Sequence, residues 1–378
     1  MEDCHLIYLY WLIRLFSPGN PKLYRLIDHY GSAENVYFST KDQLMMSGIL
    51  DPSELRRVCE DRDVRSAAFA LERLEREGIR TVTIWDSEYP SLLREIDPPP
   101  LLLFYNFYKG KPNWINPPLT IAVCGTRRMT KYGAEAVRRI VGDLADIGCL
   151  IVGGLSDGID STAHQETLMH GGQTLAVMPG GVDVIYPRSE YNLYWDIADH
   201  GCVISEFLPG DRPLGSHFQL RNRVIAGLSN GVLHIQSPEK SGSLITVKWA
   251  VQYNRDVFAL PGDVGIQQSE GPNQLIQSGA KLVTGAMDIL DEYGYLFADA
   301  IARMKKRAQA EPPRKPMGEK DKAITELLKN GDQDVTYLAM KSGIPLAELI
   351  LLLTDLQIKG IICEKPGGFY SLSKSFTL

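Results

Sequence analysis

Residues His217–Asn230 (HFQLRNRVIAGLSN) combine an aromatic side chain with two guanidinium groups over a short stretch. Phe218 precedes Arg221 by three residues, and Asn222 and Arg223 follow directly. We interpret the segment as a loop that enters a helix, where unpaired N–H groups attract anions. Aromatic and guanidinium groups together suit single-stranded nucleic acid, since each nucleotide offers a base face and a phosphate. A salt-bridged helix start on an ordinary surface is the alternative interpretation.

A second loop follows the first strand of the predicted central sheet and contains Gly125, Thr126, Arg127 and Arg128. Phosphate-binding loops occupy this position in doubly wound folds. The loop lacks the G-x-G-x-x-G pattern and a Walker lysine, so it gives only weak support for dinucleotide binding. Gly125 instead allows close approach of a backbone, while Arg127 or Arg128 supplies charge. A tight turn with two solvated arginines is the alternative.

A third loop, containing Lys240, Ser241, Gly242 and Ser243, precedes another predicted helix. Its small residues allow several N–H groups to point at one phosphate, and the two hydroxyls can add hydrogen bonds. A helix N-cap formed by one serine is the alternative, but it leaves the rest of the run unexplained. We expect this loop and the Arg221 segment to lie on neighbouring strands of one sheet, which favours a phosphate site.

Two other loops carry polar residues with structural interpretations. Asp160 is expected to cap a helix that begins at Ser161, and His164 is expected to be a structural histidine. Pro179–Gly181 resembles the start of a phosphoribohydrolase motif, but no glutamate follows at the required offset. We therefore predict no catalytic residues, and a nucleotide phosphoribohydrolase remains the enzymatic alternative.

The elements that would position these loops alternate strand and helix across residues 119–295. This alternation predicts an α/β fold with a Rossmann-like, doubly wound, mostly parallel sheet. In such sheets the loops after the strands meet at one edge, where ligands bind. The predicted strands are short apolar runs: Leu119–Cys124, Leu150–Val152, Thr174–Val177, Cys202–Ile204, Val232–Ile235 and Val257–Ala259.

The formal net charge of the 378-residue chain is −6, which argues against a protein that coats duplex DNA non-specifically. Any nucleic-acid site must be a local basic patch. The six cysteines are scattered without metal-ligand spacing, so we predict free thiols, no metal and no cofactor. The apolar segment Leu6–Phe16 is too short to span a bilayer and contains Arg14. We expect a soluble, cytoplasmic protein with no membrane contact.

Composition divides the chain into four parts. The sequence of residues 1–75 predicts short helices that resemble a sterile-alpha-motif or helix-hairpin-helix domain. A helix-hairpin-helix that binds DNA has a glycine on each side of an apolar residue, and Gly48-Ile49-Leu50 lacks the second glycine. Residues 76–297 form the predicted core, and 298–318 form a linker rich in Lys, Arg, Ala and Pro. Residues 319–378 resemble a winged helix, which leaves a transcription regulator as a third alternative. The helix expected to enter a major groove there contains no arginine, which favours protein contacts.

Taken together, the motifs resemble those of the DNA-processing protein A (DprA/Smf) family. They are VCGTRRMTKYG at 123–133, GGLSDGIDSTAH at 153–164, TLAVMPGGVDVIYP at 174–187, FQLRNRVIAGLS at 218–229, KSGSLITVKWA at 240–250 and RDVFALPGDV at 255–264. The resemblance implies a recombination mediator of natural transformation that protects single-stranded DNA and loads the RecA recombinase, usually as a homodimer through the core.

The family's binding pocket carries over to seven positions. These are Gly125, Thr126, Arg127, Phe218, Arg221, Asn222 and Arg223. Three features depart from the family pattern: Gly153 replaces a serine, Asp157 stands where a basic residue is usual, and residues 213–216 (PLGS) lack a lysine that some members carry ahead of the aromatic residue. A carboxylate at the mouth of the site would weaken phosphate binding locally.

Overall fold

The computed structural model describes residues 2–106, 114, 117, 119–294, 319–329, 331–358, 361–365 and 368–372. It contains two compact units, Met1–Ile301 and Ala302–Leu378. The predicted linker at 298–318 lies outside the described residues. Among the described residues no single helix is long and apolar enough to cross a bilayer, although two consecutive helices of the second unit, bent by 112°, pass that test as a pair.

The first unit begins with six helices. They are α1 (Glu2–Arg14), α2 (Pro21–Tyr30), α3 (Ala33–Phe38), α4 (Lys41–Met46), α5 (Pro52–Glu60) and α6 (Val64–Arg76). Local sequence fixes their starts: the Asp51 carboxylate accepts the N–H groups of Ser53 and Glu54 at the beginning of α5. The sequence did not predict α3. The apolar faces of these helices share one core with Phe104 and Val182 from the sheet region.

A nine-stranded sheet follows in the described residues. Its strands are β1 (Arg80–Thr83), β2 (Leu102–Asn106), β3 (Thr120–Cys124), β4 (Leu150–Gly153), β5 (Thr174–Val177), β6 (Cys202–Ser205), β7 (Gly231–His234), β8 (Asp256–Ala259) and β9 (Lys281–Leu282). Their order is β1-β2-β6-β5-β4-β3-β7-β8-β9. From β6 to β9 all neighbours are parallel, while β2 is antiparallel to both β1 and β6. The predicted doubly wound, mostly parallel sheet is confirmed.

The connecting helices cover both faces of this sheet. They are α7 (Ser91–Arg94), α8 (Lys131–Asp146), α9 (Ile159–Met169), α10 (Tyr191–His200), α11 (Gly215–Gly227), α12 (Leu244–Gln252), α13 (Gln267–Gln277) and α14 (Ala286–Leu290). Every residue of β3 to β7 is buried, which explains why these strands are continuous apolar runs.

The direction in which strands are added reverses at β3. From β3 the chain adds β4, β5 and β6 on one side, and then returns through α11 to place β7 on the other side. Loops at the carboxyl ends of β3 and β7 therefore diverge and leave a crevice between them.

The described part of the second unit contains three helices and a small sheet. Its elements are α15 (Glu319–Leu328), β10 (Gln333–Asp334), α16 (Val335–Ser342), α17 (Leu346–Ile358), β11 (Ile362–Lys365) and β12 (Phe369–Leu372). The strands are antiparallel in the order β10-β12-β11. Its core is formed by aliphatic side chains such as Ile324, Leu338 and Leu353.

A buried ion pair joins several parts of the first unit. The Arg223 guanidinium of α11 donates to the Glu206 carboxylate and to the Pro98 carbonyl oxygen at 2.7 Å. Glu206 also accepts the backbone N–H of Gly19, between α1 and α2, at 3.0 Å. The Arg223 and Glu206 side chains are only 2% and 8% exposed. This pair therefore ties α11, the strand-end residue Glu206 and the N-terminal helices together.

Replacing Arg223 should destabilise the protein strongly. Arg223→Met leaves the Glu206 carboxylate buried without its partner, and we expect the free energy of unfolding to fall by about 3–5 kcal/mol. Denaturant unfolding measures this change. The matched control is Arg138→Met at an exposed arginine of α8, which should change stability little. Equal stabilities of the two variants would contradict a tying role for the pair.

Candidate nucleic-acid interface

A cavity of about 370 Å³ lies at the carboxyl ends of β3 and β7, where the strand order reverses. Four segments line it: the loop after β3, the loop after β4 with the start of α9, the first turns of α11 and the loop that leads into α12. Of the residues predicted from sequence, it brings together Gly125, Thr126, Arg127, Phe218, Arg221, Asn222, Ser241, Gly242 and Ser243.

The loop after β3 is held tightly by its backbone. The Thr126 N–H donates to the Gln236 carbonyl oxygen at 2.7 Å, and the Thr126 hydroxyl accepts the Arg128 N–H at 3.1 Å. A Cβ on Gly125 would lie 2.7 Å from the side chain of Ile159, so this position has room only for glycine. The loop backbone is thus fixed, and Arg127 extends from it with an exposed side chain.

Phe218 and Arg221 lie on the body of α11, one turn apart. The expectation that a loop enters the helix here was wrong: α11 begins at Gly215, so the N–H groups near Phe218 are already within the helix. Helical spacing instead places the two side chains on one face. The cavity is therefore lined both by Gly215 at the start of α11 and by side chains from the first turns of this helix.

Arg221 is a buried cation. It is 4% exposed, and its Nη1 donates to the Val177 carbonyl oxygen at 2.9 Å, while Nε has no hydrogen-bond partner. A Cβ on Gly154 would lie 1.7 Å from Nη1, so glycine at 154 leaves the space that the guanidinium fills. Burial lowers the pKa of Arg221 to about 10, and the guanidinium remains charged at neutral pH.

The ring of Phe218 lies within reach of both cavity arginines. The Arg127 and Arg221 Cζ atoms are 5.6 Å and 5.9 Å from the ring centroid, which is cation–π distance. Two guanidinium groups and one aromatic ring, contributed by two separate crossovers, thus converge at one end of the cavity.

The loop before α12 supplies hydroxyl and N–H groups. Ser241 accepts the Ser243 N–H at 3.3 Å, and their hydroxyls are 2.9 Å apart. Ser243 occupies the N-cap position of α12 but makes no capping hydrogen bond with its side chain; its hydroxyl instead lies 3.1 Å from His234 Nε2. The Asn222 amide donates to the Gly242 carbonyl oxygen at 3.4 Å and links this loop to α11.

Asp160 is a cavity residue whose role the sequence did not predict correctly. It does not cap a helix at Ser161, because α9 begins at Ile159 after Gly158. Its carboxylate accepts the Gly154 N–H at 3.2 Å. Burial raises its pKa to about 6, although Arg221 and the neighbouring N–H groups favour the charged form. In the sequence, Asp160 at the end of Gly158-Ile159-Asp160 resembled a helix cap. No local sequence pattern indicated that the tertiary fold brings Asp160 close to Arg221.

Four predicted or suspected residues lie outside the cavity lining. Arg223 is held in its buried pair with Glu206, so its guanidinium is not available to a phosphate. Arg128 and Lys240 are exposed on the adjoining surface. Asp157, expected at the mouth of the site, accepts the Ser189 hydroxyl at 2.8 Å.

His164 and the cysteines are structural. The His164 Nδ1 lies 2.6 Å from the Thr174 hydroxyl, and burial lowers its pKa to about 3. The five cysteines with described side chains are free thiols in this structure. In the part of the chain that the structure describes, no group of three or more His, Cys, Asp or Glu residues is placed to hold a metal ion.

Comparison with known proteins adds an independent finding. Residues 80–294 match the family model described as DNA recombination-mediator protein A. Protein Smf of Synechocystis sp. is 30% identical over 96% of this chain and 98% of its own length. The crystal structure of DNA processing protein A from Streptococcus pneumoniae is 34% identical, with a TM-score of 0.65 over 76% of this chain and 97% of that one. The Helicobacter pylori structure, whose title reports a single-stranded DNA binding mode, is 27% identical, with a TM-score of 0.51 over 57% of this chain and 95% of that one.

Protonation of Asp160 should make stability depend on pH. Its pKa is about 6 in the folded protein against an ordinary 3.8, so between these values the folded state retains a proton that the unfolded chain has lost. Its contribution to the free energy of unfolding therefore falls as pH rises through this window, by about 2–3 kcal/mol at most, and is constant above it. Asp160→Asn should remove this fall. Denaturant unfolding of both proteins across the window measures it, and parallel pH curves would rule it out.

Proposed function

Because this chain belongs to the DNA recombination-mediator protein A family, we propose that its cavity binds single-stranded DNA and that the protein mediates recombination in natural transformation. In this role it protects incoming single strands and loads RecA onto them. One observation carries the proposal: Arg127, Phe218 and Arg221 converge on the cavity at the carboxyl ends of the strands. The Helicobacter pylori relative, whose title names single-stranded DNA binding, supports the same ligand.

Each cavity group has a distinct task in this proposal. Arg127 is exposed and counters a backbone phosphate, while the N–H groups and hydroxyls of 241–243 bind another. Phe218 stacks a base, and this requires Arg127 to move from its position over the ring. Arg221 is too deeply buried to follow a mobile strand and supplies a fixed positive potential from below. Arg223 has no part in binding, because its guanidinium is paired with the buried Glu206 carboxylate.

The cavity favours unpaired strands over duplex. Stacking on Phe218 requires a base whose face is free, which a paired and stacked duplex does not offer. The net charge of −6 also opposes non-specific attraction of duplex DNA, so affinity must come from the cavity itself.

A hydrolytic function is less well supported. A phosphoribohydrolase needs a free carboxylate at the reacting sugar, and among the described residues that line the cavity Asp160 is the one carboxylate. It is buried and accepts the Gly154 N–H. Gly180 and Gly181 of the resembling motif pack against residues 208–213 rather than lining the cavity. We therefore propose a binding protein without enzymatic activity.

The remaining parts of the chain are assigned by proposal. The N-terminal helices form a sterile-alpha-motif-like region, and the second unit is a winged helix. Leu346, Ile350 and Leu351 are exposed on α17, where a DNA-reading helix would carry basic side chains, which favours a protein contact over a transcription-regulator role. We propose a cytoplasmic homodimer formed through the core, with the apolar stretch Leu275–Val283, in which Leu282 is 45% exposed, as part of its interface.

Removal of Phe218 should weaken binding without abolishing it. Phe218→Ala removes one base–aromatic stack, and we expect a loss of about 1–3 kcal/mol in affinity for oligo-dT. Fluorescence titration with labelled oligo-dT and an equal-length duplex measures the loss and the strand preference. The control is Phe69→Ala, which removes an exposed aromatic ring of α6 that also has a guanidinium, that of Arg76, beside it. Tighter binding of the duplex than of oligo-dT would disprove the proposal.

Removal of Arg127 should change the salt dependence. Arg127→Ala deletes one phosphate contact, so the slope of log K against log salt should become shallower by about 0.7 for a single strand. The loss should be alike for all sequences, because phosphates carry no base identity. Arg138→Ala on α8 is the control and should leave the slope unchanged. A slope unaltered in Arg127→Ala would show that phosphates bind elsewhere.

A further inference from the structure

An exposed tyrosine lies against the cavity on its outer side. The ring of Tyr186 contacts Phe218 edge-on, with centroids 5.6 Å apart and planes inclined by 69°. Tyr186 is 37% exposed and is not among the residues that line the cavity. Tyr186 thus contacts Phe218 and keeps about a third of its surface open to solvent.

Phe218 is the less accessible of the two rings. It is half-buried, and the guanidinium groups of Arg127 and Arg221 already lie over it. Tyr186 is within cation–π distance of neither group among the contacts of the described residues. A base arriving at the mouth of the cavity therefore meets Tyr186 before a face of Phe218 becomes free.

Two further exposed side chains continue from Tyr186 toward α10. Arg188 lies in the single 3₁₀ turn Arg188–Glu190, and Tyr191 begins α10 and is 53% exposed. The order along the chain is aromatic, cation, aromatic, with two residues between the cation and the second ring. Alternating rings and charges suit successive bases and phosphates of an unpaired strand.

We propose, on the basis of the function proposed above, that Tyr186, Arg188 and Tyr191 form an outer track that binds the nucleotides of a strand as it leaves the cavity. Bases stack on the two tyrosines, and Arg188 lies beside the phosphate between them. The track lengthens the bound segment beyond what the cavity alone can hold.

The charges around the outer track make stacking its main source of affinity. Asp157 accepts the Ser189 hydroxyl at 2.8 Å, and Glu190 lies two residues after Arg188 in the same 3₁₀ turn. These carboxylates offset much of the attraction of Arg188 for a phosphate. Asp157, which stands where the family usually has a basic residue, therefore acts on the outer track rather than within the cavity.

A second cavity sets the end of the track. Trp195, one helical turn beyond Tyr191, lines a groove together with Glu72, Glu75 and Asp199. Its carboxylates repel phosphates, so the strand leaves the protein surface before Trp195. The outer track is limited to its three residues.

Oligonucleotide length separates the outer track from the cavity. The affinity of the full chain is measured for oligo-dT of about 4 and about 15 nucleotides, which spans the site sizes of single-strand binding modules. Tyr186→Ala should weaken binding of the longer strand by about 5- to 100-fold, the range for one lost stack, and that of the shorter strand less than about twofold. Tyr186→Phe keeps the ring and should restore the affinity.

Control variants distinguish a failure of the outer track from a failure of the proposed single-strand binding. Phe69→Ala, which removes an exposed aromatic ring of α6 outside the track, should leave both affinities unchanged. Tyr186→Ala should also keep the wild-type slope of log K against log salt, unlike Arg127→Ala. Equal losses on both lengths, or no loss on the longer strand while Phe218→Ala still weakens binding, would overturn the outer track alone. Failure of the wild-type chain to bind either strand would overturn the proposed function and the track with it.

Discussion

A positive charge buried beneath the cavity is the constraint on which the site depends. The Arg221 guanidinium has given up most of its hydration, and the Val177 carbonyl oxygen and the nearby Asp160 charge replace only part of it. Desolvating a cation is costly unless it is paired and hydrogen-bonded. Gly154 provides the space, and the packing of α11 against the sheet holds the group there. In the proposed function, a phosphate in the cavity adds a partner for this guanidinium, whose Nε makes no hydrogen bond within the protein.

The local position of Arg221 explains how a chain with a net charge of −6 can attract a negatively charged ligand. A chain with an excess of carboxylates is a poor general binder of polynucleotide, but potential is local in a crevice whose walls exclude water. Arg127 and Arg221 act over a few ångströms, which is shorter than the screening length at physiological salt. In the proposed function, the acidic remainder of the surface limits binding elsewhere and directs the strand to the cavity.

Much of the sheet could be predicted from sequence, because buried parallel strands are continuous apolar runs bounded by small residues. The strand Thr174–Val177 was predicted to the residue. The convergence of Arg127 and Phe218 followed from one topological rule about strand ends. Arg223 could not be assigned in this way. It lies two residues after Arg221 on α11, and the helical rotation of about 200° between them points the two side chains to opposite faces of the helix. The sequence contained no local sign of Glu206 as its partner, since that contact is made through the tertiary fold.

The shared core of the N-terminal helices and the sheet has a consequence for how the molecule moves. Phe104 of β2 packs among the helices, and Glu206 accepts the backbone of Gly19. The helices therefore cannot swing as an independent arm, and they should lose structure in the same cooperative transition as the neighbouring strands. A force applied to the helices would therefore be transmitted to the sheet and to the cavity at its edge.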